Sequence, residues 1–578
     1  MLCLYLVSAS LLLLSLLLPL HVPPWVSWHN ELAAAGALLL PCTIALFFLR
    51  SGARVRKVLL PIPAMPAVLL ASIALLQVCS GTIAYWGSFW TIAFYCTIGM
   101  IAASVGYAAI TAEAQKSRER HEEYYSTSVA LTVLAGVFLS GGIVQVFLVL
   151  SQTLGLWENS DWIARTVYQT RGSGNLAQPN HAALLFVMSA ASALYLQRGD
   201  RIGVGLTVAL LIFICAGLSI TESRSGLFAF SGLMAWWAYA HARPLGLLLS
   251  ISMMSAAILT LTILYIAWPT AISMFWIVDK ANDINLTTSG RIEMWRQLFQ
   301  AALQHPWLGW GVMQVAQAQN TVAHRYEAVM ATTFSHNLLM DISLWAGIPV
   351  ASATLLAMCT WSVRRFSIVQ SQHDWYCMSL ILAMAIQSFT EFPYAYAYFL
   401  FPLFFALGAL DASLGLVRGF VIDYRWGIVI FLATLAGWVW ASMEYIEVEE
   451  DFRVARFEAL RIGKVPAAYE QPQIILLTQL EALLTGTRIR PAPGMSHQDI
   501  QLLKRVAMLY PWAPTKFRYL AALALNGQLD EARRQLTIVR IMHGEAAYTA
   551  VEQRLVEMSE DYPVLKELRA VKPDIYKQ

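Results

Sequence analysis

The residues best suited to chemistry begin with Thr333-Phe334-Ser335-His336-Asn337, which runs directly into the apolar stretch opened by Leu338-Leu339-Met340-Asp341. A neutral imidazole at the mouth of such a stretch can take a proton from a hydroxyl near neutral pH. The plainer reading of His336 is a capping or interfacial histidine, and both stay open. Asp341 lies five residues further on, where an intramembrane carboxylate needs a partner and is a site candidate by default.

Arginines form the second signal. Arg224 sits in the polar break Thr221-Glu222-Ser223-Arg224-Ser225-Gly226, and Arg291 in Ser289-Gly290-Arg291-Ile292-Glu293-Met294-Trp295. Planar guanidinium groups bind phosphate oxygens bidentately and stay charged, so two of them suit a diphosphate. Alternatively, Arg224 snorkels or pairs with Glu222, and Arg291 pairs with Glu293. The amides of Gly174-Asn175-Leu176-Ala177-Gln178-Pro179-Asn180-His181 could orient sugar hydroxyls or phosphate oxygens, or simply cap a helix that starts at Pro179. In Glu391-Phe392-Pro393-Tyr394-Ala395-Tyr396-Ala397-Tyr398, Glu391 is the sole charge, and Tyr398 reads as part of an interfacial aromatic belt. HExxH, P-loop, GxSxG and Asp-rich metal patterns are missing from these segments.

The elements that must carry these residues are membrane helices. Of the 578 residues, 58% are apolar and 13% charged, and the mean hydropathy is +0.56, which excludes an ordinary soluble enzyme and a disordered chain. The formal charge of +3 argues against nucleic acid as a partner. Apolar blocks long enough to cross a bilayer number roughly thirteen, near 2–22, 31–49, 58–78, 88–110, 128–150, 179–197, 202–221, 226–240, 245–269, 337–361, 376–390, 398–417 and 427–443. The first lacks a basic flank and a clear cleavage site, so it reads as a retained span rather than a signal peptide. The eighth is short enough to be tilted or partly re-entrant.

Basic residues set the orientation. Arg50, Arg54, Arg56 and Lys57 follow span 2, and Lys116, Arg118 and Arg120 follow span 4. Arg198 and Arg201 follow span 6, Arg243 span 8, Arg364 and Arg365 span 10, and Arg418 and Arg425 span 12. Even-numbered connections are therefore cytoplasmic, with the N-terminus inside and the C-terminus outside. The long loops at about 152–178 and 270–336 fall on the outer face. From Glu444 the sequence turns polar, charged and helix-patterned. The expected division is thus a transmembrane domain over 1–443 and a soluble outer domain over 444–578. Within the latter, the stretch around Ala522, Gly527 and Ala532 resembles one tetratricopeptide unit. The seven cysteines lie in or beside apolar blocks with no CxxC spacing, so neither zinc nor a disulfide framework is indicated.

Taken in order, Gln178-x-Asn180, Ser223-Arg224-Ser225-Gly226, Gly290-Arg291-x-x-x-Trp295, Pro306-Trp307-Leu308-Gly309-Trp310-Gly311, Ser335-His336-Asn337 and Glu391-Phe392-Pro393 resemble the motifs of the bacterial O-antigen ligase superfamily. Within it, the chain is most similar to the protein O-oligosaccharyltransferases, or pilin glycosylation ligases. The resemblance implies an all-α, polytopic inner-membrane enzyme working on its periplasmic face. It implies en bloc transfer of a glycan from undecaprenyl diphosphate to a Ser or Thr hydroxyl of a periplasmic or pilin protein, with no metal or cofactor. By the same resemblance His336 assists the hydroxyl and Arg224 and Arg291 hold the diphosphate. Gln178, Asn180, Asn337 and Glu391 support them. Phe392 departs from the tyrosine common in the protein-glycosylating branch, so no role for a phenol carries over. The rival readings are a lipopolysaccharide O-antigen ligase, an O-antigen polymerase and, outside enzymes, a lipid or glycan transporter. A transporter would place its polar breaks near the bilayer midplane.

Overall fold

The computed structural model describes residues 2–48, 57–119, 128–156, 160–165, 171–275, 288–326, 328–416, 419–460, 462–463, 465 and 469–568. Arg50, Arg54, Arg56, Arg120 and Arg418, used above for orientation, lie outside the described residues, as do 157–159, 166–170 and 276–287 of the two long loops.

The chain is helical almost throughout. It begins with α1 (Leu2–Leu17), α2 (Trp28–Phe48), strand β1 (Lys57–Pro61), α3 (Met65–Cys79), α4 (Trp86–Glu119), α5 (Val129–Thr153) and α6 (Pro179–Arg198). Then come α7 (Val204–Ile220), α8 (Arg224–Leu245), α9 (Leu247–Phe275), α10 (Thr288–Gln304), α11 (Val315–Val322), α12 (Leu338–Ala346) and α13 (Ile348–Phe366). The last are α14 (Gln372–Ser388), α15 (Ala397–Ser413), strand β2 (Gly419–Asp423), α16 (Tyr424–Leu460), α17 (Thr478–Arg488), α18 (His497–Leu509), α19 (Ala513–Leu525) and α20 (Leu529–Ser559).

Among the described residues, 7 helices are long and apolar enough to cross a membrane, and three shorter apolar helices accompany them. This is a multi-pass helical membrane protein. One element departs from the all-α expectation: β1 and β2 pair antiparallel, Leu59 opposite Val421. The eighth apolar block is no fragment, because α8 continues for 22 residues. Gly347, at φ +93, breaks the tenth block into α12 and α13. The second long loop contains two helices, α10 and α11. The compositional change at Glu444 falls inside α16, which runs 37 residues through it.

Contacts divide the chain into two compact units, one of residues 1–69, 94–282 and 360–438, the other of 70–93, 283–359 and 439–578. The first is centred on α6, where every residue from Pro179 to Leu196 is buried. A helix apolar on all sides belongs inside a bundle. Small residues let its neighbours approach: a Cβ at Gly142 would meet Ser189 Oγ at 2.0 Å, and one at Gly226 the Ala183 Cβ at 2.7 Å. In the second unit, α19 and α20 enclose a turn at Gly527 (φ +83), with Ala522 and Ala532 buried where the helices meet.

Candidate functional site

The expected site residues fall into two groups, one in each unit. In the first, Gln178 occupies the N-cap of α6 and Pro179 its first turn, preceded by Ala177 in the left-handed region at φ 54. Asn180, one residue into the helix, joins three separate segments. Its Oδ1 accepts from Ser223 Oγ at 2.7 Å and from Arg171 Nη2 at 3.3 Å, and its Nδ2 donates to Glu391 Oε1 at 2.6 Å. Arg171 also donates through Nε to the Thr221 carbonyl at 3.0 Å. Asn180 and Glu391 are buried, so this is an interior polar network, whose members are costly to leave unpaired. Gln178 Oε1 is buried with no hydrogen-bond partner among the described residues.

Arg224 is exposed and is the first residue of α8. Ser223 caps that helix by accepting from Gly226 N at 3.1 Å, and Glu222 just before it is left-handed at φ 49. The phenol of Tyr265 on α9 donates to the Glu222 carbonyl at 3.3 Å and is in hydrogen-bonding contact with Arg224. Tyr398 does not belong to an interfacial belt. It is 1% exposed and packs against His181, Tyr396 and Phe399.

In the second unit Arg291 is half-buried on α10. Trp295 stands one turn on, and its indole Nε1 donates to the Ser335 carbonyl at 2.7 Å, tying the arginine motif to the histidine loop. Ser335 N donates to Asp341 Oδ1 at 2.7 Å, and Asn337 Oδ1 caps α12 by accepting from Leu339 N and Met340 N, both at 3.1 Å. This bond to Asp341 holds a backbone turn. Between Ser335 and Asn337, His336 is left-handed at φ 58, a conformation that a residue with a Cβ rarely adopts and that clusters at functional sites. Glu293, the alternative partner considered for Arg291, forms an ion pair with Arg296 at 3.0 Å.

The Pro306–Gly311 motif supports the break below this loop. Trp310 N donates to the Leu344 carbonyl at 2.6 Å and Ile348 N to the Pro306 carbonyl at 2.8 Å. Backbones approach so closely that a Cβ at Gly347 would stand 2.3 Å from the Trp307 carbonyl oxygen. Gln77, which the sequence did not single out, bridges both sides: Nε2 donates to the Trp345 carbonyl at 2.7 Å and Oε1 accepts from Val312 N at 2.9 Å. Sequence reading also missed Arg171 and Tyr265. A charge close before the Gly174–His181 motif was the available hint for Arg171; Tyr265 carried none.

One regularity links the groups. Gln178, Arg224 and Asn337 each stand at the N-cap or in the first turn of a helix, where open N–H groups and the helix dipole favour anions.

The chain is thus a multi-pass helical membrane protein with arginine, amide and histidine side chains at or near helix starts. Comparison with known proteins narrows that class. Residues 207–355 match the O-antigen ligase family, and residues 375–555 match the family described as virulence factor membrane-bound polymerase, C-terminal. The chain is 22% identical over 567 residues to the general O-oligosaccharyltransferase of Acinetobacter baylyi, covering 93% of this chain and 92% of that protein. It is 21% identical to the ComP-specific O-oligosaccharyltransferase of the same organism, over 67% of each. The chain thus resembles the O-antigen ligase family over residues 207–355 and a general O-oligosaccharyltransferase over nearly its whole length.

Proposed function

We propose that the protein is a metal-independent oligosaccharyltransferase of the bacterial inner membrane. It moves a preassembled glycan from undecaprenyl diphosphate to a Ser or Thr hydroxyl of a periplasmic or pilin protein. The observation that carries this reading is that Arg224 opens α8 directly after its Ser223 N-cap, with Arg291 as a second cation near the histidine loop. Placing a cation at the positive end of a helix dipole is unfavourable by itself and pays off when an anion is bound there. A diphosphate leaving group asks for just such neutralisation of its growing charge. His336 takes the acceptor's proton or orients its hydroxyl. Asn337 and Trp295 fix the histidine loop. Gln178, Asn180 and Glu391 supply the supporting polar groups of the first unit.

The outward-facing assignment of these residues draws support from which loops meet. In the first unit, odd-numbered connections bond to one another: Asn175 Nδ2 to the Leu17 carbonyl at 2.7 Å, Arg171 to Thr221, Asn180 to Glu391. The β1–β2 pair joins two even-numbered ones. A protein acceptor is favoured over a lipid acceptor by the length of similarity to the two oligosaccharyltransferases. Glycan polymerisation is the second reading, favoured by the polymerase-family match over 375–555.

The test is reconstitution of the purified chain with a lipid-diphosphate-linked glycan, chelator, and either a pilin-type protein or a lipid acceptor. Glycan mass appearing on Ser or Thr of the protein supports the proposal. Glycan appearing only on lipid, or only lengthened glycan on the carrier, assigns one of the other two reactions.

A further inference from the structure

In the second unit a cleft of about 320 Å3 opens between α11 and the helices α18 and α20. Its amides are Gln317 and Asn320 on α11, Gln501 on α18 and Gln535 on α20. Lys504, Arg505 and Arg534 supply cations, against the single carboxylate of Glu531. That carboxylate is already engaged, accepting from Gln535 Nε2 at 2.8 Å and lying 3.5 Å from Arg534 Nη1. Lys504 and Arg505 are exposed, and among the described residues neither side chain makes a hydrogen bond or ion pair.

Behind this wall Lys516 is fully buried, its Nζ donating to Asn320 Oδ1 at 2.6 Å and to Gln535 Oε1 at 3.5 Å. Asn320 is thereby fixed with its carbonyl inward, leaving Nδ2 as the donor to a ligand. The cleft is built on the helix pair that carries Arg291: Gln319 Nε2 on α11 donates to Gln297 Oε1 on α10 at 3.0 Å.

We propose that this cleft binds an acidic sugar of the glycan being transferred, with its carboxylate on Lys504 and Arg505 and its hydroxyls on the Gln317 and Gln501 amides and Asn320 Nδ2. The proposal rests on the transfer reading above. Its volume lies at the low end for small-ligand sites, about 300–1,000 Å3. A folded partner would need a far larger face, about 800 Å2 per side. Amides that both donate and accept match a ring bearing several hydroxyls, whereas a peptide carboxylate alone would need only the cations.

The test uses the full-length protein in detergent and two free oligosaccharides, one carrying a hexuronic acid and one with the corresponding neutral hexose. Calorimetric titration should show binding of the acidic oligosaccharide that weakens at least tenfold when Lys504→Ala and Arg505→Ala are combined. In transfer assays, KM for an acidic donor should rise about tenfold in that variant, with kcat and the neutral donor's KM unchanged. Equal loss for both oligosaccharides, or no binding of the acidic one to the unaltered protein, would overturn the proposal. So would a rise in KM for the acceptor protein instead of the donor, which assigns the cleft to an acidic stretch of the acceptor. If the unaltered protein transfers no glycan, the transfer reading fails, while the titration still decides the cleft.

Discussion

The network around Asn180 and the loop around His336 are built in opposite ways. Around Asn180, side chains bond to side chains across segments far apart in sequence, Asn180 to Glu391 being 211 residues distant. Around His336, side chains bond to nearby backbone: Trp295 to the Ser335 carbonyl, Asp341 to the Ser335 N–H, Asn337 to the start of α12. The first arrangement resists change because any deletion leaves a buried partner unmet. The second fixes the path of the chain and so the direction from which one imidazole is presented. Substitutions in the two regions should therefore fail differently, the first through stability and the second through rate.

The largest expected effect lies beneath the histidine loop. Gly347→Ala forces a Cβ to within 2.3 Å of the Trp307 carbonyl oxygen at φ +93. Overpacking of this kind costs about 1–3 kcal/mol and a left-handed backbone with a Cβ about 1–2 kcal/mol more. Thermal unfolding in detergent should show the midpoint falling well below that of the unaltered protein. Next comes Glu391→Ala, which strips the Asn180 amide of its 2.6 Å acceptor and should cost about 1–3 kcal/mol. Glu391→Gln keeps an acceptor and should retain most of that stability, which the same melts will read. If Glu391→Ala melts normally, the contrast between the two regions is lost.

A smaller change separates rate from stability. Trp295→Phe removes one indole hydrogen bond, about 1 kcal/mol, while keeping the aromatic ring. Its melting should barely move, whereas transfer should slow more than that loss explains, because the turn presenting His336 is released. The gentlest test is pH. Burial pushes the Lys516 ammonium down to about 7 from its ordinary 10.5, against an opposing effect of Glu531. Between those values the unfolded chain binds more protons than the folded one, so stability rises with pH across that window and levels off below about 7. Lys516→Met should flatten that part of the profile of melting temperature against pH.

Much of this was legible in the sequence, for physical reasons that also mark its limits. Apolar blocks marked the apolar helices, 7 of them long enough to cross a membrane among the described residues, and Pro179 announced the start of α6 through local capping chemistry. What escaped was whatever depends on distant partners: Arg171 meeting Asn180, Gln77 bridging Trp345 and Val312, Lys516 buried against Asn320. The left-handed turns at Ala177, Glu222 and His336 also escaped, since none is glycine. The polarity shift at Glu444 lies inside α16, a few residues from where the contacts divide the chain.

The central claim is that His336 serves the acceptor hydroxyl, and its most direct measurement is the transfer rate of His336→Ala. The assay uses lipid-diphosphate-linked glycan and acceptor protein at saturating concentrations, with melting temperature recorded alongside. Loss of general acid–base assistance should slow transfer by about 10²–10⁴ with the melting temperature close to that of the unaltered protein. Transfer at the unaltered rate would contradict the account and return His336 to the role of an interfacial cap.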